Sequence, residues 1–186
     1  EVRKLKGPLI MIGNHPSYLD PLIMAATLLP KRIRFVTSRD FFRGRFLAWL
    51  LCQLGAIPKT QFRTDTQSIK AILQTIRSSG SIAVFPEGQR SIDGRLQPFD
   101  DSMAKLIKKA ACPVILVMQY GAYLAWPRWS ASGMRPGRID VKATVMLSAA
   151  EIKRMNVNQI QRRLIRAMSY NDYESQKTRL YRYRSF

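Results

Sequence analysis

The sequence predicts an α/β fold: a largely parallel central sheet flanked by helices. Three observations predict it. Short apolar, β-branched runs alternate with longer stretches of helical pattern, in βαβα order. The 186 residues are 46% hydrophobic, enough for one domain with a sizeable core. No internal repeat or low-complexity linker divides the chain. One domain is expected over 1–170, followed by a basic aromatic C-terminal tail over 171–186.

The elements follow in order. Leu9-Ile10-Met11-Ile12 predicts a buried strand over 8–13. Pro16 and Pro21 disfavour helix at His15 and Asp20, so residues 14–20 form a turn. Pro21 is a good first helical residue, which predicts a helix over 21–29 with Asp20 as its N-cap. A strand is expected over 32–38 and a helix over 41–54. Next come a helix at 66–78, a strand at 81–86, a helix at 100–111 and a strand at 113–119. Trp126, Pro127, Trp129, Gly133, Pro136 and Gly137 mark 121–137 as a long loop. A strand at 138–147 and a helix at 156–169 complete the domain. From Asn171 to Phe186, four cations alternate with Tyr173, Tyr181, Tyr183 and Phe186. That end is either a basic arm for a lipid surface or a frayed tail.

Charge narrows the partners. With 31 Lys+Arg against 12 Asp+Glu, the formal charge is +19. Such a chain is drawn to polyanions: nucleic acid, an anionic lipid surface, acidic proteins or phosphorylated ligands. No apolar run reaches the length of a membrane span. The stretch from Phe41 to Leu51 is short, aromatic and edged with arginine. It reads either as an interfacial helix lying on a membrane or as a buried core helix. The chain begins at Glu1 rather than Met and reads as a piece of something longer, with nothing like a signal peptide at its start. Cys52 and Cys112 sit in apolar segments, with no Cys/His cluster for a metal. A reduced, cytosol-facing compartment follows.

Two motifs carry chemistry. The first is Asn14-His15-Pro16-Ser17-Tyr18-Leu19-Asp20, which holds the only histidine. An imidazole with a carboxylate five positions on is a candidate general base with its orienting partner. The plainer alternative is a helix-capping Asp and a surface His. The second motif, Phe85-Pro86-Glu87-Gly88-Gln89-Arg90-Ser91, leaves a buried strand. Pro86 stops the strand and Gly88 permits a tight turn. Arg90 offers a planar fork suited to phosphate, and backbone N–H groups around Gly88 suit an anion. Both motifs fall just past strand carboxyl ends, where open α/β sheets place their sites.

Together, in this order, the two motifs resemble the glycerolipid acyltransferase family, typified by 1-acylglycerol-3-phosphate acyltransferases. The resemblance continues through Gly55-Ala56-Ile57-Pro58 and Cys112-Pro113-Val114-Ile115-Leu116-Val117 and covers roughly residues 5–120. It implies a single-domain acyltransferase sandwich that moves a fatty acyl group from acyl-CoA or acyl-carrier protein to a lipid hydroxyl. His15 is then the base and Asp20 its partner. Asn14, Glu87, Gly88, Arg90 and Ser91 help bind the phosphorylated acceptor and shape the site. No cofactor or metal is implied; the thioester is a co-substrate. The expected partners are that donor, a phosphorylated lipid acceptor and an anionic membrane surface at the cytoplasmic face, held peripherally or by an anchor. No nucleic acid is expected, since no helix-turn-helix, zinc finger or RNA-recognition motif is present.

The chain departs from the family pattern in places. Gln61 falls where the family has an arginine, so Lys59 or Arg63 substitutes or the contact is absent. Ser38, beside Arg39, replaces a common lysine. Phe99-Asp100-Asp101-Ser102 replaces Phe-Lys-x-Gly, and its acids suit a helix start. These departures leave the acceptor open, with lysophosphatidate as the default. The competing classes are a basic nucleic-acid-binding module and a family member that binds lipid without catalysis.

Overall fold

The computed structural model describes residues 2–5, 7–27, 29–60, 65–131 and 133–169. Six strands form one sheet: β1 (Ile10–Gly13), β2 (Ile33–Ser38), β3 (Ile57–Lys59), β4 (Ser81–Val84), β5 (Val114–Tyr120) and β6 (Asp140–Leu147). Their order is β3-β2-β4-β1-β5-β6. The first five are parallel and β6 runs antiparallel to β5. The helices are α1 (Asp20–Thr27), α2 (Arg45–Gln53), α3 (Thr66–Arg77), α4 (Ser102–Ala110), α5 (Ala122–Ala125) and α6 (Ala149–Arg154), followed by α7 over 157–169.

Strand alternation builds two cores. Ile10, Ile12, Ile82, Val84, Val114 and Leu116 pack on one side with Ile72 and Ile76 of α3, Ile107 of α4, Ile152 of α6 and Ile160, Leu164 and Met168 of α7. The last three recur every four residues and make the inward stripe of α7. Leu9, Met11, Ala83, Ile115 and Val117 face the other side and meet Met24 of α1. Each aliphatic side chain buried here contributes about 1.5–3 kcal/mol. Helix starts are fixed locally. Asp65 accepts the Ser68 N–H at 3.0 Å to begin α3, and Ser148 and Glu151 form a reciprocal capping box at α6.

Register explains where the site lies. Ile12 pairs with Val84 of β4 and with Leu116 of β5. The carboxyl ends of β1 and β4 are thus neighbours, and the two motifs leave the sheet side by side. Gly13 closes β1 under tight constraint: a Cβ there would meet Met24 Cε at 2.5 Å and the Val117 carbonyl oxygen at 2.7 Å.

The predicted fold class stands, with differences in detail. β3 was not among the expected strands, because Pro58 breaks its pattern. It forms at the sheet edge, where a missing N–H is tolerated. The expected helix over 41–54 is a 3-10 turn at Arg39–Phe42 followed by α2, with Arg43 and Gly44 between them. The helix expected at 100–111 spans Ser102–Ala110, and the strand expected over 81–86 ends at Val84. The loop expected over 121–137 begins with the single turn α5, and α6 precedes α7 as a separate helix. Asp20 is not an N-cap. It is the first residue of α1, and its carboxylate turns back to accept the Ser17 N–H at 2.7 Å.

The buried-core reading of the Phe41–Leu51 stretch is overturned. No residue of α2 is buried, and Phe46, Trp49 and Leu54 are 75%, 58% and 60% exposed. A helix crossing between parallel strands ordinarily buries a stripe against the sheet; this one keeps its apolar side chains outside. Among the described residues, no helix is long and apolar enough to cross a membrane. Gln61, Arg63 and the expected tail over 171–186 lie outside the described residues.

Candidate active site

His15 Nδ1 lies 2.7 Å from Asp20 Oδ2. Helical spacing would not bring residues five apart together, since they are turned about 140° from each other. The turn after β1 does so instead. Trp126 braces it from the loop after α5: its carbonyl accepts the Ser17 hydroxyl at 2.9 Å and the Tyr18 N–H at 3.2 Å. The imidazole lies flat on Phe85, with centroids 4.1 Å apart and planes within 10°. The Asp20 side chain is fully buried and that of His15 is 15% exposed. No hydrogen bond from the described residues reaches His15 Nε2, which leaves the lone pair a base needs.

The second motif is tied to the first. Glu87 Oε1 accepts the His15 N–H at 2.8 Å, and its Oε2 accepts the Gln97 N–H at 2.7 Å. The Ser91 N–H donates to the His15 carbonyl at 2.7 Å. The Ser91 hydroxyl donates to the Arg95 carbonyl at 2.7 Å and accepts the Gly94 N–H at 2.9 Å. Glu87 and Ser91 therefore build the site's frame. Asn14 does the same from the other side: its amide exchanges two hydrogen bonds with the Gln119 backbone, at 3.0 and 2.9 Å, and extends the β1–β5 ladder by one residue. Gly88 turns with φ +68°, a conformation that favours glycine. Lys59 ends β3, on an adjoining part of the same sheet edge, where its charge reaches Asp100.

Arg90 is the charge that faces the pair. Burial pushes the His15 imidazole down, and Arg90 pushes it the same way. Burial pushes the Asp20 carboxyl up, while the Ser17 N–H and Arg90 pull it back. At 2.7 Å the two groups titrate as a unit. Arg90 acts on both members in one sense, favouring an ionised carboxylate and a neutral imidazole. That state has Nδ1–H donating to Asp20 and Nε2 open, the form of a general base.

A shallow surface depression lies beside His15, lined by Pro16, Glu87, Ser91, Gly94, Arg95 and Leu96 among others. Sequence reasoning missed Arg95 and Leu96, which follow the second motif and join the site only because Ser91 folds the chain back. It also missed Tyr18 and Trp126. The Tyr18 ring lies under the Arg90 guanidinium at 3.9 Å. Cys112 is buried, its thiol pushed up to about 11, and the Ser17 hydroxyl is buried in hydrogen bonds. Among the described residues, no three His, Cys, Asp or Glu side chains are grouped to hold a metal.

Comparison with known proteins places this geometry. A family model described as Acyltransferase matches residues 1–118. A 1-acyl-sn-glycerol-3-phosphate acyltransferase of Limnanthes douglasii is 38% identical over 136 residues, which cover 72% of this chain and 48% of that protein. A chloroplastic 1-acyl-sn-glycerol-3-phosphate acyltransferase of Brassica napus is 26% identical over 136 residues, covering 72% of this chain and 39% of that protein. The chain thus spans half or less of the length of these relatives. The crystal structure of the 1-acyl-sn-glycerophosphate (LPA) acyltransferase PlsC from Thermotoga maritima superposes with a TM-score of 0.73 at 18% identity, over 90% of this chain and 66% of that one. That likeness shows the same fold. With the family model spanning both strand-end motifs and most of the parallel sheet between them, the chain belongs to the glycerolipid acyltransferase family.

Proposed function

We propose that this protein is an O-acyltransferase that moves a fatty acyl group from an acyl thioester to the hydroxyl of a lysophospholipid, with lysophosphatidate as the default acceptor. The observation that carries this is the 2.7 Å His15–Asp20 pair, open at Nε2, beside the Arg90 cation. An alcohol is a weak nucleophile at neutral pH. His15 Nε2 takes its proton as the oxygen attacks the thioester carbonyl. Asp20 holds the Nδ1–H and stabilises the imidazolium as it forms. The tetrahedral intermediate collapses, the C–S bond breaks, and the imidazolium returns its proton to the departing thiolate. The reaction then balances with no acyl-enzyme. The buried state of Ser17 and Cys112 supports direct transfer.

Arg90 is assigned to the acceptor phosphate, with Lys59 and Arg63 as further cations. Gly88 contributes its turn, and Asn14, Glu87 and Ser91 hold the frame. Acyl-CoA and acyl-carrier protein are both acidic, and a charge of +19 steers either one inward.

The same reading places the protein on an anionic membrane surface at the cytoplasmic face, held peripherally or by an anchor. Its contact is α2, whose aromatic and aliphatic side chains stand exposed beside Arg39, Arg43 and Arg45. α2 follows β2 at the same carboxyl edge that carries His15, so a bilayer there meets the site. The test is a panel of glycerol 3-phosphate, lysophosphatidate and other lysophospholipids, each with acyl-CoA and acyl-carrier protein. Ester formation on a phosphorylated acceptor is expected, and turnover of none of them contradicts the proposal.

A further inference from the structure

Arg90 is a half-buried cation that forms no ion pair among the described residues, although the Asp20 carboxyl feels its charge. Its Nε is buried and has no hydrogen-bond partner among the described residues. None of the ion pairs among the described residues includes it. Its guanidinium lies instead over the ring of Tyr18, 3.9 Å from the centroid. Tyr18 is backed by Trp126, with centroids 5.3 Å apart and planes tilted by 40°. The Trp126 carbonyl fixes this stack by accepting from both Ser17 and Tyr18. Three parts of the chain therefore meet at one point: the turn after β1, the turn after β4 and the loop after α5.

The chemistry of the holder matters. A carboxylate would orient a guanidinium and also cancel its charge, so an incoming phosphate would have to compete with it. An aromatic face orients the same plane and leaves the charge in place.

We propose that Tyr18 and Trp126 are positioning residues for the acceptor: they hold Arg90 on an aromatic face rather than in an ion pair, so that its guanidinium meets a phosphomonoester. This deepens the acyl-transfer reading and rests on it. Tyr18 touches Arg90 from below and Trp126 acts through Tyr18. Neither takes part in proton transfer.

The test compares Tyr18→Leu, Tyr18→Phe, Trp126→Leu, Arg90→Ala and the Tyr18→Leu/Arg90→Ala double variant by steady-state kinetics with lysophosphatidate and acyl-CoA. Circular dichroism confirms folding. Tyr18→Leu is expected to raise the KM for lysophosphatidate about 2- to 30-fold, the range of a cation–π contact from exposed to desolvated. The KM for acyl-CoA and kcat stay near wild type. Tyr18→Phe, which keeps the ring, restores the acceptor KM. Trp126→Leu moves it in the same direction by less, and gives a second reading should Tyr18→Leu fail to fold. In the Arg90→Ala background, Tyr18→Leu adds nothing. A Tyr18→Leu effect that falls on kcat or the acyl-CoA KM, or that persists undiminished without Arg90, overturns the proposal. Equilibrium dialysis of short-chain lysophosphatidate separates this from failure of the parent reading. If the wild type binds it but turns over no acceptor, acyl transfer is wrong. Weaker binding by Tyr18→Leu then still supports the aromatic hold, and equal binding refutes it.

Discussion

Two side chains five residues apart meet here because the chain turns between them, with Pro16 disfavouring helix at His15. Asp20 belongs to α1, His15 to the turn before it, and the carboxylate reaches back over that turn. Arg90 lowers the proton affinity of both members, which favours an ionised carboxylate beside a neutral imidazole. The sign follows directly. The acid limb of kcat/KM marks loss of the free Nε2 as pH falls. A group that lowers the pair's proton affinity moves that limb to lower pH. Arg90→Ala should therefore shift the acid limb upward, and also raise the KM for a phosphorylated acceptor more than that for the thioester. A pH–rate series on the variant checks both; an unmoved limb would separate Arg90 from the pair. Asp20→Asn keeps the shape and loses the charge. It is expected to lower kcat by about 10²–10⁴-fold, because the imidazole loses the acceptor that sets its tautomer. Stopped-time ester assays read this, and a change below tenfold would remove Asp20 from the mechanism.

The elements place these residues, and they were unevenly legible in the sequence. β1, β4 and β5 declared themselves as short apolar runs because strands buried on both faces have little else to show. β3 stayed hidden: three residues with a central Pro58 make no pattern, and only pairing with β2 defines it. The split before α2 follows from Gly44, which starts that helix. What each motif residue bonds to was less legible than which residues lie near the site. Asn14, Glu87 and Ser91 sit in the motifs, yet each holds backbone groups through its side chain, something spacing cannot reveal. Tyr18 and Trp126 come together from positions far apart in the chain, so no local pattern announces them. Gly13 offers an element-scale check. Gly13→Ala drives a Cβ into the Val117 carbonyl and Met24, and should cost about 1–3 kcal/mol by denaturant melting. Unchanged stability would mean that the β1–α1 junction yields more readily than its contacts indicate. α2 offers another. Phe46→Ser with Trp49→Ser should release the protein from anionic vesicles in a flotation assay without lowering its melting temperature, since both side chains stand exposed. Equal flotation would move the membrane contact elsewhere.

At the scale of the whole molecule, charge and topology point the same way. A parallel sheet gathers the ends of β1, β2 and β4 along one edge, and the apolar helix that follows β2 leaves that edge toward solvent. A chain of +19 brought to an anionic bilayer would meet donor and acceptor where both are concentrated. Vesicle binding should weaken with salt, and so would nonspecific DNA binding, so charge alone cannot separate an enzyme from a basic binder. The imidazole can, because removing it leaves the formal charge at neutral pH unchanged. The most direct measurement is acyl transfer from a labelled thioester to lysophosphatidate by wild type and His15→Ala, both shown to be folded. The wild type should form the diacyl product, and His15→Ala should lose at least about a hundredfold of that rate while still binding anionic vesicles. Equal rates in the two proteins would contradict a histidine-based acyl transfer.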